Sequence, residues 1–259
     1  MAFNSLDYTL ENKIATITLN RPDFYNAFND EMSFEMQDAL KEVKKNDEVR
    51  VIVITGAGKA FCSGQDLKDI SGKKRSLSDS LYKRYNPIIR SIRTLEKPVI
   101  GKINGVAAGA GCSLALACDY NIASNKASFI EVFVNVGLVL DSGSSYFLAK
   151  SVPPQKAFEW ATQASKISAE EALKYGLVNK VSESEELDNE VTAIAEYYAK
   201  APTKAIGMIK KMLNKAQYSS LDDSLEYEAF HQEIAGRSED YAEGVSAFVE
   251  KRKPEFKGK

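Results

Sequence analysis

The run Val51-Ile52-Val53-Ile54-Thr55 is continuously apolar and β-branched, with no polar residue alternating through it. A strand of that kind suits burial on both faces, and sheets buried on both faces are parallel ones flanked by helices. A second such run, Val99 to Ile103 (VIGKI), follows Pro98. Ahead of them, Ala15, Ile17 and Leu19 alternate with polar partners as in a half-buried strand, which Arg21-Pro22 ends. Asn29 or Asp30 can cap a helix whose apolar stripe is Met32, Met36, Leu40 and Val43. The polar stretch 77–95 reads as helical. Residues 104–120 (NGVAAGAGCSLALACDY) read as a Gly/Ala turn running into an apolar helix. Further strands are expected at 120–123 and over 129–134 (FIEVFV). Strands alternating with helices predict an α/β fold.

The last third differs. Ser168-Ala-Glu-Glu171 is a capping box for a short helix that Gly176 can end. Beyond Pro202, Ile206, Ile209 and Leu213 keep helical spacing. A helix is expected over 221–235, and a terminal one carries Tyr241, Val245, Phe248 and Arg252. The chain thus divides into an α/β core over 1–200 and a helical region over 201–259.

Composition excludes several classes of function. The 34 basic and 36 acidic residues leave a net charge of −2 and a pI near 5.7, which argues against nucleic acid or an anionic membrane as partner. No segment is long and apolar enough for a membrane span, and the first residues show no signal-peptide pattern. Cys62, Cys112 and Cys118 have no metal-ligand spacing, and His231 is the sole histidine, so a metal site is not expected. A reducing, cytoplasmic setting follows. With one histidine, any acid–base chemistry falls to a carboxylate.

Two glycine segments invite a nucleotide-binding reading and fail it. ITGAGKAF (54–61) lacks the GxxxxGKS/T spacing that wraps phosphates, and neither it nor Gly109-Ala-Gly111 has the third glycine of GxGxxG. Both read locally as close packing at strand–helix turns. Asp141, ahead of SGSSYFLAK, reads locally either as a helix N-cap or as a catalytic acid. Trp160 and His231 read as packing residues.

Taken together, KAFCSGQDLKDI (59–70) and KPVIGKINGVAAGAGCSLALACDY (97–120) resemble the two signature segments of the crotonase (enoyl-CoA hydratase/isomerase) superfamily. TLNRPDFYNAFN, SAEEALKYGLVNKV and EGVSAFVEKRKPEF resemble its N-terminal strand–turn–helix, its late helix and its terminal helix. The resemblance implies a core of repeated ββα turns, with C-terminal helices that pack a homotrimer or a dimer of trimers. It implies an acyl-CoA thioester substrate, whose enolate is held by the backbone amides of Gln65 and Ala110. Fixed donors of that kind work because they face the charge that develops in the transition state. Ser63, Gly64, Gln65, Asp66, Leu67, Lys68, Gly109 and Phe133 would line the substrate and coenzyme A site. Coenzyme A enters as part of the substrate, and no other cofactor is implied.

The superfamily varies its acid–base residues, and those positions carry the reaction. Where the hydratase branch places two glutamates, this chain has Ser113 and Phe133, so hydration is not expected. Asp141 falls where several isomerase branches place an acid. The C-terminal segment and the context of Asp141 look most like the ring-epoxide isomerase branch of phenylacetate degradation, with departures at Leu140 and Ser144. The histidine and tryptophan of the chlorobenzoyl-CoA dehalogenase branch are Asn86 and Phe133 here. The expected activity is therefore an acyl-CoA isomerase, with Asp141 moving a proton to shift a double bond or open a ring epoxide. Two other readings stand beside it: a hydratase-like lyase with atypical acid–base residues, and an RNA-binding relative, which the acidic pI disfavours. Tyr82, Tyr85 and Ile89 are candidates for the acyl end of the pocket, and Lys251, Arg252 and Lys253 for the nucleotide phosphates.

Overall fold

A computed structural model describes residues 3–70 and 76–259. The main sheet has six strands in the order β1 (Leu6–Glu11), β2 (Ile14–Leu19), β3 (Val51–Gly56), β5 (Val99–Ile103), β7 (Tyr120–Ser124) and β10 (Lys180–Ser182). The hairpin β1–β2 is antiparallel and every other pairing in this sheet is parallel. A smaller sheet orders β4 (Ala60–Cys62), β6 (Val106–Ala108), β8 (Ser128–Ile130) and β9 (Ile167–Ser168). Each turn of chain from β3 to β4, β5 to β6 and β7 to β8 adds one strand to each sheet.

Helices fill the intervals. They are α1 (Asp30–Lys45), α2 (Leu67–Ile70), α3 (Leu77–Ser80), α4 (Asn86–Thr94), α5 (Ala110–Ala117), α6 (Ser144–Ser151), α7 (Pro154–Gln163) and α8 (Ala169–Lys174). Then come α9 (Leu187–Lys200), α10 (Thr203–Ala216), α11 (Leu221–Ala235) and α12 (Glu239–Glu250). No helix among the described residues is long and apolar enough to cross a membrane.

The unbroken apolar character of β3 has its reason here. Ile52 and Ile54 enter the main core with Met32, Met36, Leu40 and Val43 of α1, while Val51 and Val53 enter a second cluster with Leu187, Val191 and Ala195 of α9. Asn29 caps α1, its side chain accepting from the Met32 amide at 2.9 Å. Ser168 caps α8, accepting from the Glu171 amide at 3.1 Å, and Gly176 (φ +77°) follows the helix.

Two expectations are corrected. FIEVFV is a strand only to Ile130, and Val132–Val136 form a 3-10 helix. The partner strand β6 stops at Ala108, Gly109 turns with φ +51°, and its amide makes the last cross-strand bond, to Ile130 O at 2.9 Å. Beyond it no strand remains to pair with. The helical stretch 77–94 is not uniform either, because a π-helical turn over Leu81–Tyr85 joins α3 to α4.

Past Pro202, α10 is tied to the core by Lys210, whose ammonium reaches Asp119 and the Ile92 carbonyl, each at 2.6 Å. Gly207 allows that approach, since a side chain there would run into the Glu96 carbonyl.

Candidate functional site

Two glycine turns meet at one end of the small sheet. Gly64, after β4, has φ +95°, and a side chain on it would lie 2.8 Å from the Ala108 carbonyl. Gly111 in α5 sits against the Cys62 carbonyl so closely that any side chain would collide with it. The two turns therefore interlock only because both positions are glycine. A short bridge to Phe28 fixes the first turn: Phe28 N donates to Gly64 O at 2.7 Å and Asp66 N to Phe28 O at 2.9 Å.

That pairing uses the Gly64 carbonyl and the Asp66 N–H and leaves the Gln65 N–H without an acceptor among the described residues. Ala110 is the first residue of α5, so its N–H has no intrahelical acceptor. Both residues line a cavity of about 420 Å³. The Gln65 side chain is held on three sides. Its Nε2 donates to Phe28 O and Asp66 O (3.0 and 3.3 Å), and its Oε1 accepts from the Tyr85 hydroxyl. Two unpaired amides beside one cavity, one of them at a helix N-terminus, are groups able to donate to an anionic oxygen.

Asp141 lines the same cavity, half-buried. Its carboxylate does not cap α6. Gly143 occupies the cap position without a side-chain bond, and among the described residues Ser142 Oγ donates to Asp141 Oδ1, at 2.7 Å. The main-chain carbonyl of Asp141 accepts from the Ser144 amide at 2.9 Å and lies 3.2 Å from Ser113 Oγ. The fold thus anchors the backbone of Asp141 and leaves its carboxylate facing the cavity. Burial pushes that carboxyl above the ordinary range, and the Ser142 hydroxyl opposes the shift. Phe133, Val136 and Leu138 share the cavity wall.

Of the other expected residues, Ser63, Gly64, Leu67 and Gly109 line the cavity, while Asp66 and Lys68 do not. Asp66 is buried with its carboxylate paired to Arg21 at 3.0 Å, and it accepts from the Lys68 amide at 3.1 Å, so it holds the turn. Tyr85 lines the cavity, but Tyr82 is 64 % exposed and Ile89 packs against the core. Arg252 is engaged bidentately by Glu243.

Leu77, Leu81 and Arg84, not singled out by pattern within the stretch 71–93 expected at the acyl end, also line the cavity. Arg84 is buried and paired with Asp30 at 2.8 Å. It lies within the π turn, whose wider register departs from the ordinary helical stripe.

Residues 9–259 match the family model described as Enoyl-CoA hydratase/isomerase. The chain is 41% identical over 254 residues to 1,2-epoxyphenylacetyl-CoA isomerase of Escherichia coli (strain K12), covering 96% of this chain and 97% of that one. It is 35% identical to the short-chain-enoyl-CoA hydratase of Clostridium acetobutylicum, covering 98% of each. The crystal structure of an enoyl-CoA hydratase from Polaromonas sp. JS666 superposes with a TM-score of 0.92 at 34% identity, covering 98% of this chain and 100% of that one. Matched along nearly all of its length by a family model, by relatives and by a solved fold, the chain belongs to the enoyl-CoA hydratase/isomerase, or crotonase, family.

Proposed function

We propose that this enzyme is an acyl-CoA isomerase that works through an enolate. The supporting observation is the single cavity in which the Gln65 and Ala110 amides and the Asp141 carboxylate all open onto an apolar wall. The thioester oxygen takes the two N–H bonds. Asp141, as the carboxylate, removes a proton from the acyl chain, and the C–H electron pair moves into the thioester carbonyl. The protonated Asp141 then returns the proton to another carbon, so the double bond shifts or an epoxide ring rearranges with no net gain of water. Loss of one donor at such an oxygen typically costs about 2.7–4 kcal/mol in the barrier.

The hydratase alternative needs two carboxylates to hold water, and the family positions for them carry other groups. Ser113 is fully buried and 2.7 Å from Ser144 Oγ, and Phe133 is part of the apolar wall. The likeness to a ring-epoxide isomerase supports the isomerase reading, and a substrate with an aromatic-derived ring belongs with it. We further propose that residues 201–259 form the assembly region of a homotrimer or dimer of trimers. The reaction is tested by comparing turnover of 3-enoyl-CoA, of 2-enoyl-CoA in water, and of the phenylacetyl-CoA epoxide. Isomerisation of the first or third is expected to exceed hydration of the second, and faster hydration overturns the reading.

A further inference from the structure

Glu131 has no part in the proton transfer described above. It is fully buried at the end of β8 and does not line the cavity, so it cannot touch substrate. Its Oε1 accepts from the Cys112 thiol at 3.4 Å, a weak donor, and its Oε2 has no hydrogen-bond partner. No Lys or Arg forms an ion pair with it among the described residues. An ionised carboxylate is costly in such a place.

Its neighbours give it a role. Cys112 is the third residue of α5, whose first residue is Ala110. The hydroxyl of Ser144, the first residue of α6, is the other hydroxyl or thiol that acts on it. Ser144 Oγ is 2.7 Å from Ser113 Oγ, which sits 3.2 Å from the Asp141 carbonyl. The carboxyl is therefore wedged between the first turns of the two helices that present Ala110 and anchor Asp141.

We propose that Glu131 is a positioning residue, held as the neutral acid between the first turns of α5 and α6 so that the positive end of α5 acts on the substrate oxygen alone. The inference rests on the roles read above for Ala110 and Asp141. A helix N-terminus carries roughly half a positive charge. A neutral acid behind the first turn leaves that charge to the enolate, and a carboxylate there neutralises it from the wrong side.

Burial pushes the Glu131 carboxyl up to about 7; the Cys112 thiol and Ser144 hydroxyl oppose the shift, and the charge of Asp141 adds to it. The titratable groups facing it are the Cys112 thiol from α5, which burial keeps neutral, and Asp141 from the segment before α6. Ionisation of Glu131 with rising pH should therefore weaken the field at the substrate oxygen while Asp141 stays an anion.

Glu131→Gln keeps the shape of the acid and removes its titration. Two readouts across neutral pH test the role: kcat on the preferred isomerisation substrate, and exchange of acyl α-protons with solvent deuterium in an unreactive acyl-CoA. Wild-type rates are expected to fall on the order of tenfold as pH rises through the Glu131 transition, the scale of a partly buried helix-terminus charge effect, with KM unchanged. The Gln variant is expected to match wild type on the acid side and to hold that rate on the alkaline side. Identical pH profiles in the two proteins, or a flat wild-type profile, overturn the role of Glu131 and leave the isomerase reading standing. Absence of both turnover and exchange in the wild type brings down the isomerase reading and this one together.

Discussion

Asp141 has its work divided between two parts of one residue. The carbonyl is bound by the Ser144 amide and Ser113, which sets the segment before α6, and the carboxylate accepts, among the described residues, from the Ser142 hydroxyl. Asparagine at this position can accept the same Ser142 hydrogen bond and disturbs none of the main-chain anchors. Asp141→Asn is therefore expected to fold with a near-normal melting temperature and to bind acyl-CoA through the two amides. Its turnover is expected to drop at least roughly a hundredfold, within the range of general acid–base contributions. Calorimetric binding and kcat measured on one preparation check this, and turnover within a few-fold of wild type removes Asp141 as proton carrier. Because burial raises the Asp141 carboxyl, protonation silences the base at a higher pH than for an exposed aspartate, and kcat should decline on the acid side.

At the scale of elements, α5 carries the strictest packing. Each of its residues is buried, and no face is left for solvent. Gly111 touches the Cys62 main chain, which an added methyl group cannot displace without separating the two turns. Gly111→Ala is expected to destabilise the fold by roughly 1–3 kcal/mol, the usual range for overpacking a well-filled core. It is also expected to lower kcat in the molecules that remain folded, because the Gln65 and Ala110 amides move apart. Urea unfolding gives the first quantity and kcat at low temperature the second. A variant with unchanged stability would show that the contact relaxes freely. The π turn over Leu81–Tyr85 is the complementary case. The stretch was readable as helix and Tyr85 as a lining candidate, but the register that brings Arg84 to the cavity was not, since it depends on packing against α1.

For the whole molecule, the main question is what covers the C-terminal helices. Leu213 is 64 % exposed, Leu221 73 % and Phe248 85 %. Apolar exposure on this scale on α10, α11 and α12 supports the assembly region proposed above. A trimer or a dimer of trimers is expected by light scattering at micromolar concentration. Leu213→Glu combined with Phe248→Glu is expected to shift the mass toward the monomer without unfolding the α/β core. A wild-type monomer at that concentration would remove assembly from the account.

The sequence by itself determined the alternation of strands and helices, the doubly covered β3, the cap at Asn29 and the family to which the chain belongs. Those follow from periodicity, capping chemistry and ordered motifs, all of which are local. It also brought Gln65, Ala110 and Asp141 forward as the groups to watch, through resemblance. Only the tertiary structure decided between cap and free carboxylate at Asp141, because the choice depends on Ser113 and Gly143 rather than on the residues flanking Asp141 in a helical register. It likewise ended β8 at Ile130, for lack of a partner strand, turned Asp66 toward Arg21, and enclosed Glu131. Burial and the pairing of distant segments set the last of these, and loss of solvent is what pushes the Glu131 carboxyl upward.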